Sequence, residues 1–294
     1  MKALIVGCGY VGTALGEELA KSGHEVWGLR RDPVALRLLE TTRIKPFQAD
    51  LLQTESLKAL PAAEVVVLCQ APSRKKDSYY STYFEGTKNL LQALPKKTCR
   101  KIILISSSSV YSTRDGSWVD EATDPLFQNH ADRETQENAK ILLESERLVL
   151  SSGFPAVVLR LSGIYGPERN RIKSVLTGRV KPVFSDLYMN RIYVTDIVRA
   201  IRLLLERGQP GEIYLGSDDA PCTQREFYTW VFEKMSWPLP ANGSANESPV
   251  PAQGSNKRCS NRKIKALGLK WRYPTFREGY APLIEPLTKV PSHG

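Results

Sequence analysis

Gly7, Gly9 and Gly12 are the residues whose type and spacing could first do chemistry. They follow an apolar run, Ala3 to Val6, in the spacing G-x-G-x-x-G, and a helical pattern from Thr13 to Ser22 follows them. In that setting Gly7 permits a tight strand-to-helix turn, Gly9 lets backbone amides approach a pyrophosphate, and Gly12 lets the helix pack on the strand. With Tyr10 and Val11 between them, they form a candidate dinucleotide site. About twenty residues further on, an Asp or Glu would hold the adenosine ribose. Arg30 and Arg31 stand there instead. A carboxylate would repel a 2′-phosphate, whereas a guanidinium binds one through charge-assisted, often bidentate bonds. The expected cofactor is therefore NADP rather than NAD, with Asp50 and Leu51 ending a third strand beside the adenine.

The elements that must position these residues alternate strand and helix, the pattern of an α/β fold with a doubly wound parallel sheet. Strands are expected at Ala3–Val6, Glu25–Leu29, Ile44–Ala49, Glu64–Cys69, Lys101–Ser106 and Ala156–Leu161, with helices at 54–60, 79–94 and 132–150. Residues 70–77 and 112–131 read as loops. Beyond Gly166-Pro167 the pattern changes to short strands (Val180–Phe184, Glu212–Gly216) mixed with helices at 194–206, 223–235, 261–267 and 276–284. Residues 237–256 are rich in Pro, Ser, Asn and Gly and read as a long surface loop. The expected organisation is a dinucleotide-binding Rossmann domain over 1–167. A smaller α/β substrate lobe spans 168–294, some of its segments returning to pack on the first. Such sheets bind ligands at the carboxyl ends of their strands.

Composition narrows the classes. The chain has 294 residues, 41% hydrophobic, and no run approaching the ~18 consecutive apolar residues of a membrane span. A strand starting at residue 2 leaves no room for a signal peptide, so a cytoplasmic location is expected. Five cysteines (Cys8, Cys69, Cys99, Cys222, Cys259) lack metal-ligand spacing and suit a reducing compartment, and the N-x-S triplets at Asn242 and Asn246 are chance matches. The histidines, His24, His130 and His293, suggest no metal or triad. A net charge of +10 is spread out, with small clusters at 96–101 and 257–270, and lacks the aromatic interleaving of a nucleic-acid module. No specific nucleic acid, membrane or metal is expected as a partner. The expected partner is a small-molecule substrate, and a homodimer is compatible with the sequence.

Residues 101–112 (KIILISSSSVYS), Val119-Asp120-Glu121, Arg160 to Pro167 (RLSGIYGP) and Asn190 to Asp196 (NRIYVTD) resemble successive motifs of extended short-chain dehydrogenase/reductases, the NAD-dependent epimerase/dehydratase family. The closing stretch, from Tyr214 to Gly279, is similar to an atypical bacterial subgroup, the YeeZ-like proteins. The resemblance implies a Ser four residues before the Tyr of the Val-Tyr pair, which is Ser107 before Tyr111. Its hydroxyl would hydrogen-bond a substrate carbonyl or alkoxide during hydride transfer. The family also uses Tyr-x-x-x-Lys on the next helix, where the lysine lowers the tyrosine pKa for proton transfer.

No tyrosine here has a lysine four residues later. In the family a glutamate follows that lysine by four and precedes the strand-six arginine by about fourteen. Glu146 before Arg160 fits, and puts Asn138 at the tyrosine position and Leu142 at the lysine position. The other register, Gln136 and Lys140, also lacks the tyrosine. The proton donor stays unassigned, with Tyr111, Tyr165 and Tyr193 as weak substitutes. Two functions stay open. One is an NADP-preferring oxidoreductase or epimerase/dehydratase-like enzyme acting on a polar, nucleotide-linked sugar. The other is a non-catalytic NADP(H)-responsive sensor or scaffold.

Overall fold

A computed structural model describes residues 1–72, 79–125, 132–239 and 256–288. The strands are β1 (Lys2–Val6), β2 (Glu25–Arg30), β3 (Lys45–Gln48), β4 (Val65–Leu68), β5 (Lys101–Ser107), β6 (Trp118–Val119) and β7 (Ala156–Leu161). Six shorter ones follow: β8 (Gly163–Tyr165), β9 (Tyr188–Met189), β10 (Arg191–Tyr193), β11 (Ile213–Gly216), β12 (Cys222–Thr223) and β13 (Arg258–Cys259). The helices are α1 (Tyr10–Lys21), α2 (Pro33–Arg37), α3 (Gly86–Ala93), α4 (Arg133–Leu150), α5 (Arg171–Leu176), α6 (Val194–Arg207), α7 (Gln224–Lys234), α8 (Arg262–Ala266) and α9 (Phe276–Thr288).

Seven strands form one sheet in the order β11-β7-β5-β4-β1-β2-β3, and the expected doubly wound α/β architecture is observed. The pairs β2·β3, β1·β2, β1·β4 and β4·β5 are parallel. β1 and β4 are fully buried along their middles, which is why they read as unbroken apolar runs rather than alternating ones. Chain order reverses between β1 and β4, and sheets of this kind leave a crevice at such a switch point, outside the carboxyl ends of the strands. One face packs Leu4, Val6, Val66, Leu68, Ile102 and Leu104 into a continuous core with residues of α3 and α4.

The chain forms two compact units. Unit 1 comprises 1–110, 137–160 and 197–214, and unit 2 comprises 111–136, 161–196 and 215–294. Unit 2 holds three two-stranded ladders, β8·β10, β9·β12 and β6·β13. Its interior is aromatic. Tyr165 stacks on Tyr280 with ring centres 4.5 Å apart, and the buried Arg191 lies 4.1 Å over the ring of Phe227.

Four local expectations change, the first being that the helix expected over 54–60 is a single 3-10 turn, Thr54–Leu57. Residues 180–184 form no ladder, because Pro182 has no N–H to donate and the pairing falls instead on Tyr188–Met189 with Cys222–Thr223. The helix over 79–94 contains a π-turn at Ser81–Glu85. The loop over 112–131 contains the short strand β6, which pairs with the distant β13 and so leaves no local periodicity to read. Residues 73–77 and 126–131 of the two expected loops, most of the loop over 237–256, His130, His293, Asn242 and Asn246 lie outside the described residues.

Candidate functional site

The predicted cofactor residues all fall in unit 1, at the carboxyl ends of β1 to β3 and the start of α1. Gly7 has φ +75°, and a Cβ there would overlap the Cα and backbone nitrogen of Gln70, the second residue after β4. Only glycine allows both that conformation and that approach. Gly12 packs the helix against β1: a Cβ would fall 2.9 Å from Ile5 Cγ2 and 3.0 Å from the Gly7 carbonyl oxygen. Gly9 is the reverse case. A Cβ there would meet nothing closer than the Gly7 carbonyl oxygen at 3.8 Å, so the space in front of Gly9 is open. Gly9 is also the N-cap of α1 and offers no side-chain cap to that helix end. Uncapped first-turn amides with open space before them make an anion-binding helix terminus. Tyr10 and Val11 supply part of that first turn, Val11 buried and Tyr10 half-buried.

Cys8, inside the loop, stays a neutral thiol: burial pushes it up to about 11 and pushes Cys69, beyond β4, higher still. Neither adds a negative charge that would repel a pyrophosphate. The five cysteines are free, and among the described residues no group of three or more His, Cys, Asp or Glu side chains could hold a metal ion.

Arg30, at the tip of β2, lies across the loop. Its Nε donates to the Cys8 carbonyl and its Nη1 to the Ala35 carbonyl at 3.2 Å. These bonds fix the guanidinium beside the dinucleotide turn and use only two of its five N–H groups. Arg31 is exposed on the same strand end. Beyond β3, Asp50 accepts the Leu52 N–H at 3.0 Å in a tight turn, and the Leu51 carbonyl accepts from Asn89 Nδ2 at 2.9 Å.

Gln70, which the sequence shows only as the start of a loop, lies against Gly7 of the glycine turn. It is 9% exposed, its Nε2 donates to Thr87 Oγ1 at 2.9 Å, and its Oε1 is buried without a partner. A buried acceptor left unpaired beside the glycine turn is where a ligand hydroxyl or amide would sit. The glycine cradle, the uncapped helix end and this orphaned oxygen together fit a dinucleotide. A polar residue directly after an apolar strand was the one available signal.

Ser107 ends β5, half-buried, and its Oγ accepts the Ser109 N–H at 3.1 Å, which leaves the hydroxyl proton free to be donated. Behind the same strand, Ser106 Oγ donates to Glu146 Oε1 at 2.5 Å. Glu146 also receives Arg160, with Nε to Oε1 at 3.0 Å and Nη2 to Oε2 at 2.6 Å. The pair fixes the register of α4. One turn before Glu146 is Leu142, 2% exposed, and two turns before is the half-buried Asn138. Lys140 is exposed. In the register set by Glu146 the side chains at 138 and 142 are thus an amide and a buried alkyl group.

The substitute tyrosines belong to unit 2 and are all buried. The Tyr165 hydroxyl is unpartnered, and burial pushes its pKa far up, so it is a poor proton donor. Tyr193 packs edge-on against it at 5.1 Å. The Tyr111 carbonyl accepts from Lys257 Nζ at 3.1 Å. Elsewhere in unit 2, the Asp196 carboxylate accepts the N–H groups of Arg272 and Tyr273 at 2.7 and 2.9 Å. A cleft of about 710 Å³ is lined by Trp118, Asp120, Asp219, Ser260 and Arg262 among others, a polar wall.

Residues 3–215 match the NAD dependent epimerase/dehydratase family. Protein YeeZ of Escherichia coli K12 is 26% identical over 298 residues, covering 97% of this chain and 99% of YeeZ. UDP-N-acetyl-alpha-D-glucosaminuronate decarboxylase of Bacillus cytotoxicus is 27% identical over 247 residues, 74% of this chain and 75% of that protein. A solved structure from Methylobacillus flagellatus, a candidate NAD-dependent epimerase/dehydratase, superposes with a TM-score of 0.77 at 29% identity, covering 97% of this chain and 98% of that one. Among the described residues no helix is long and apolar enough to cross a membrane.

Proposed function

The chain belongs to the NAD dependent epimerase/dehydratase family, and on that footing we propose that it is an NADP(H)-dependent oxidoreductase or epimerase/dehydratase-like enzyme acting on a polar, nucleotide-linked sugar. The observation that carries the reading is the open cradle at Gly9 beside the tethered Arg30. Backbone amides of the α1 terminus would hold the pyrophosphate, Gln70 Oε1 would accept a cofactor hydroxyl or amide, and Arg30, supported by Arg31, would face the 2′-phosphate. Asp50 and Leu51 would border the adenine. The bound nicotinamide would supply hydride transfer. Ser107 would donate a hydrogen bond to the substrate oxygen on which charge develops. The similar decarboxylase, named for a nucleotide-linked sugar acid, supports that substrate class.

A sensor or scaffold that binds NADP(H) without turnover is the second reading, and one observation favours it. Leu142, which the register set by Glu146 and Arg160 puts at the family's lysine position, is buried, and in that register α4 would supply no acid/base pair. Calorimetric titration with NADPH and NADH, followed by hydride exchange against a panel of nucleotide sugars and small carbonyls, separates the two. Turnover on a nucleotide sugar supports the enzyme, and tight NADPH binding without turnover supports the sensor.

A further inference from the structure

Lys257 is 1% exposed, among the most buried side chains of the protein. Lysine is almost never buried this fully unless paired with a carboxylate. Here burial lowers its pKa to about 8, against a smaller opposing influence of Cys259 two residues on. Its Nζ donates to a backbone oxygen, the Tyr111 carbonyl, at 3.1 Å. The backbone around Lys257 is held firmly. Asn190 donates from Nδ2 to the Lys257 carbonyl at 2.9 Å and accepts the Cys259 N–H at 2.7 Å. Arg258 N–H reaches the Ser117 carbonyl at 2.9 Å.

A methionine has a similar length and would fill the same space with no charge to desolvate. The nitrogen is therefore informative through what it holds. Tyr111 is the first residue of unit 2 and follows Ser107 by four. Between them the chain leaves β5 through one 3-10 turn, Ser108–Val110, and residues 111–114 belong to no helix or ladder. A carbonyl in that irregular stretch is fixed by the partner that a distant strand brings to it.

We infer that Lys257 is a positioning residue: seated on the Tyr111 carbonyl, its amine fixes the course of the segment that carries Ser107, and so the aim of the Ser107 hydroxyl at a substrate oxygen. This rests on the reading of Ser107 given above. Lys257 does not touch the reacting atoms. It acts through the backbone.

Amide hydrogen exchange over Ser108 to Ser112, read by mass spectrometry on the full chain at pH 7, tests the restraint without any substrate. Lys257→Met should raise exchange there at least tenfold, while Lys257→Gln, which keeps an N–H donor, returns it toward wild type. NADPH affinity, measured on the same samples, should stay within twofold of wild type. With a panel substrate in hand, kcat should fall tenfold or more in Lys257→Met and recover in Lys257→Gln, with KM for the cofactor unchanged. Unchanged exchange in Lys257→Met overturns the inference, as do equal losses in both variants, which would mark Lys257 as a packing residue. If Lys257→Met does not fold, Lys257→Gln decides: exchange near wild type supports the donor role and a tenfold rise overturns it. Wild-type protein that fails to bind NADPH would remove the cofactor reading, and the exchange result would still judge Lys257.

Discussion

Arg160 on β7 meets Glu146 on α4 through two nitrogens, both side chains only 3–4% exposed, and Ser106 on β5 closes the third side of the carboxylate. The pair ties a helix to two strands and sets which α4 residues point inward. In the register it fixes, Leu142 is buried and Asn138 half-buried, the two residues that the resemblance to the family would set at its proton-transfer positions.

Removing one partner of such a pair leaves an uncompensated buried charge. Glu146→Ala should cost about 3–5 kcal/mol in stability, because the Arg160 guanidinium would stay buried without its anion. Urea denaturation reads this directly. A loss under 1 kcal/mol would mean that water reaches Arg160 and the pair is not structural.

Arg30 predicts a cofactor preference. A charge-assisted bond from its guanidinium to a 2′-phosphate is worth about 1.5–3 kcal/mol, which is roughly ten- to hundredfold in affinity. NADPH should therefore bind that much more tightly than NADH by calorimetry, and Arg30→Asp should erase or invert the difference. Equal affinities in the wild type would leave Arg30 as a clamp on the Cys8 carbonyl and nothing more.

The parts of the fold legible in the sequence are those fixed by local pattern. β1, β2, β5 and β7 are short apolar runs with turn residues at their ends, and the glycine spacing after β1 announces the switch-point crevice. The fourteen-residue spacing of Glu146 and Arg160 is visible in the sequence, but that the two form a buried ion pair shows only once α4 packs on β7. Other features depend on chain segments meeting from far apart. Residues 118–119 and 258–259 are too short to show a period and become strands only by pairing with each other. Gln70 reads as the start of a loop until Gly7 is packed on its backbone. Lys257 opens the small basic cluster over 257–270, and nothing local says that its own side chain turns inward.

The open space at Gly9 makes that position the one to fill. Gly9→Val should fold, since an added side chain meets no protein atom within 3.5 Å of its Cβ, yet it should lose dinucleotide binding by a hundredfold or more. Circular dichroism checks the fold and calorimetry the affinity. A folded variant that still binds NADPH would show that the loop is only a turn.

Lys257 makes a prediction about pH. Its folded-state pKa, lowered to about 8, lies below its ordinary value of 10.5, so between these two pH values the unfolded chain binds the extra proton. The cost of burying the charge is fully present below about pH 8 and is relieved as the pH rises towards 10.5. The stability of wild type relative to Lys257→Met should accordingly increase by about 2–3 kcal/mol across that window, with other titrating groups cancelling in the difference. Denaturant titrations at pH 7.5 and 10.5 supply the four values needed. A difference that stays flat would mean that Lys257 titrates normally and is not sealed from water.

Ser107 is the residue on which enzyme and sensor part. Its Oγ accepts from Ser109 and keeps its proton, so it can donate to a substrate oxygen that gains charge. Loss of one such donor costs about 10²–10³ in kcat where it serves as an oxyanion-type donor. Ser107→Ala should therefore leave NADPH affinity intact and reduce hydride exchange with the responsive nucleotide sugar by about that factor. The binding control matters, because Ser107 lies at the end of the strand next to β4 and a general disturbance of the crevice would weaken NADPH as well. A Ser107→Ala protein that turns over at the wild-type rate would remove the serine from the chemistry. A wild type that binds NADPH and exchanges hydride with no member of the panel would favour the sensor, with the buried Leu142 as its physical reason.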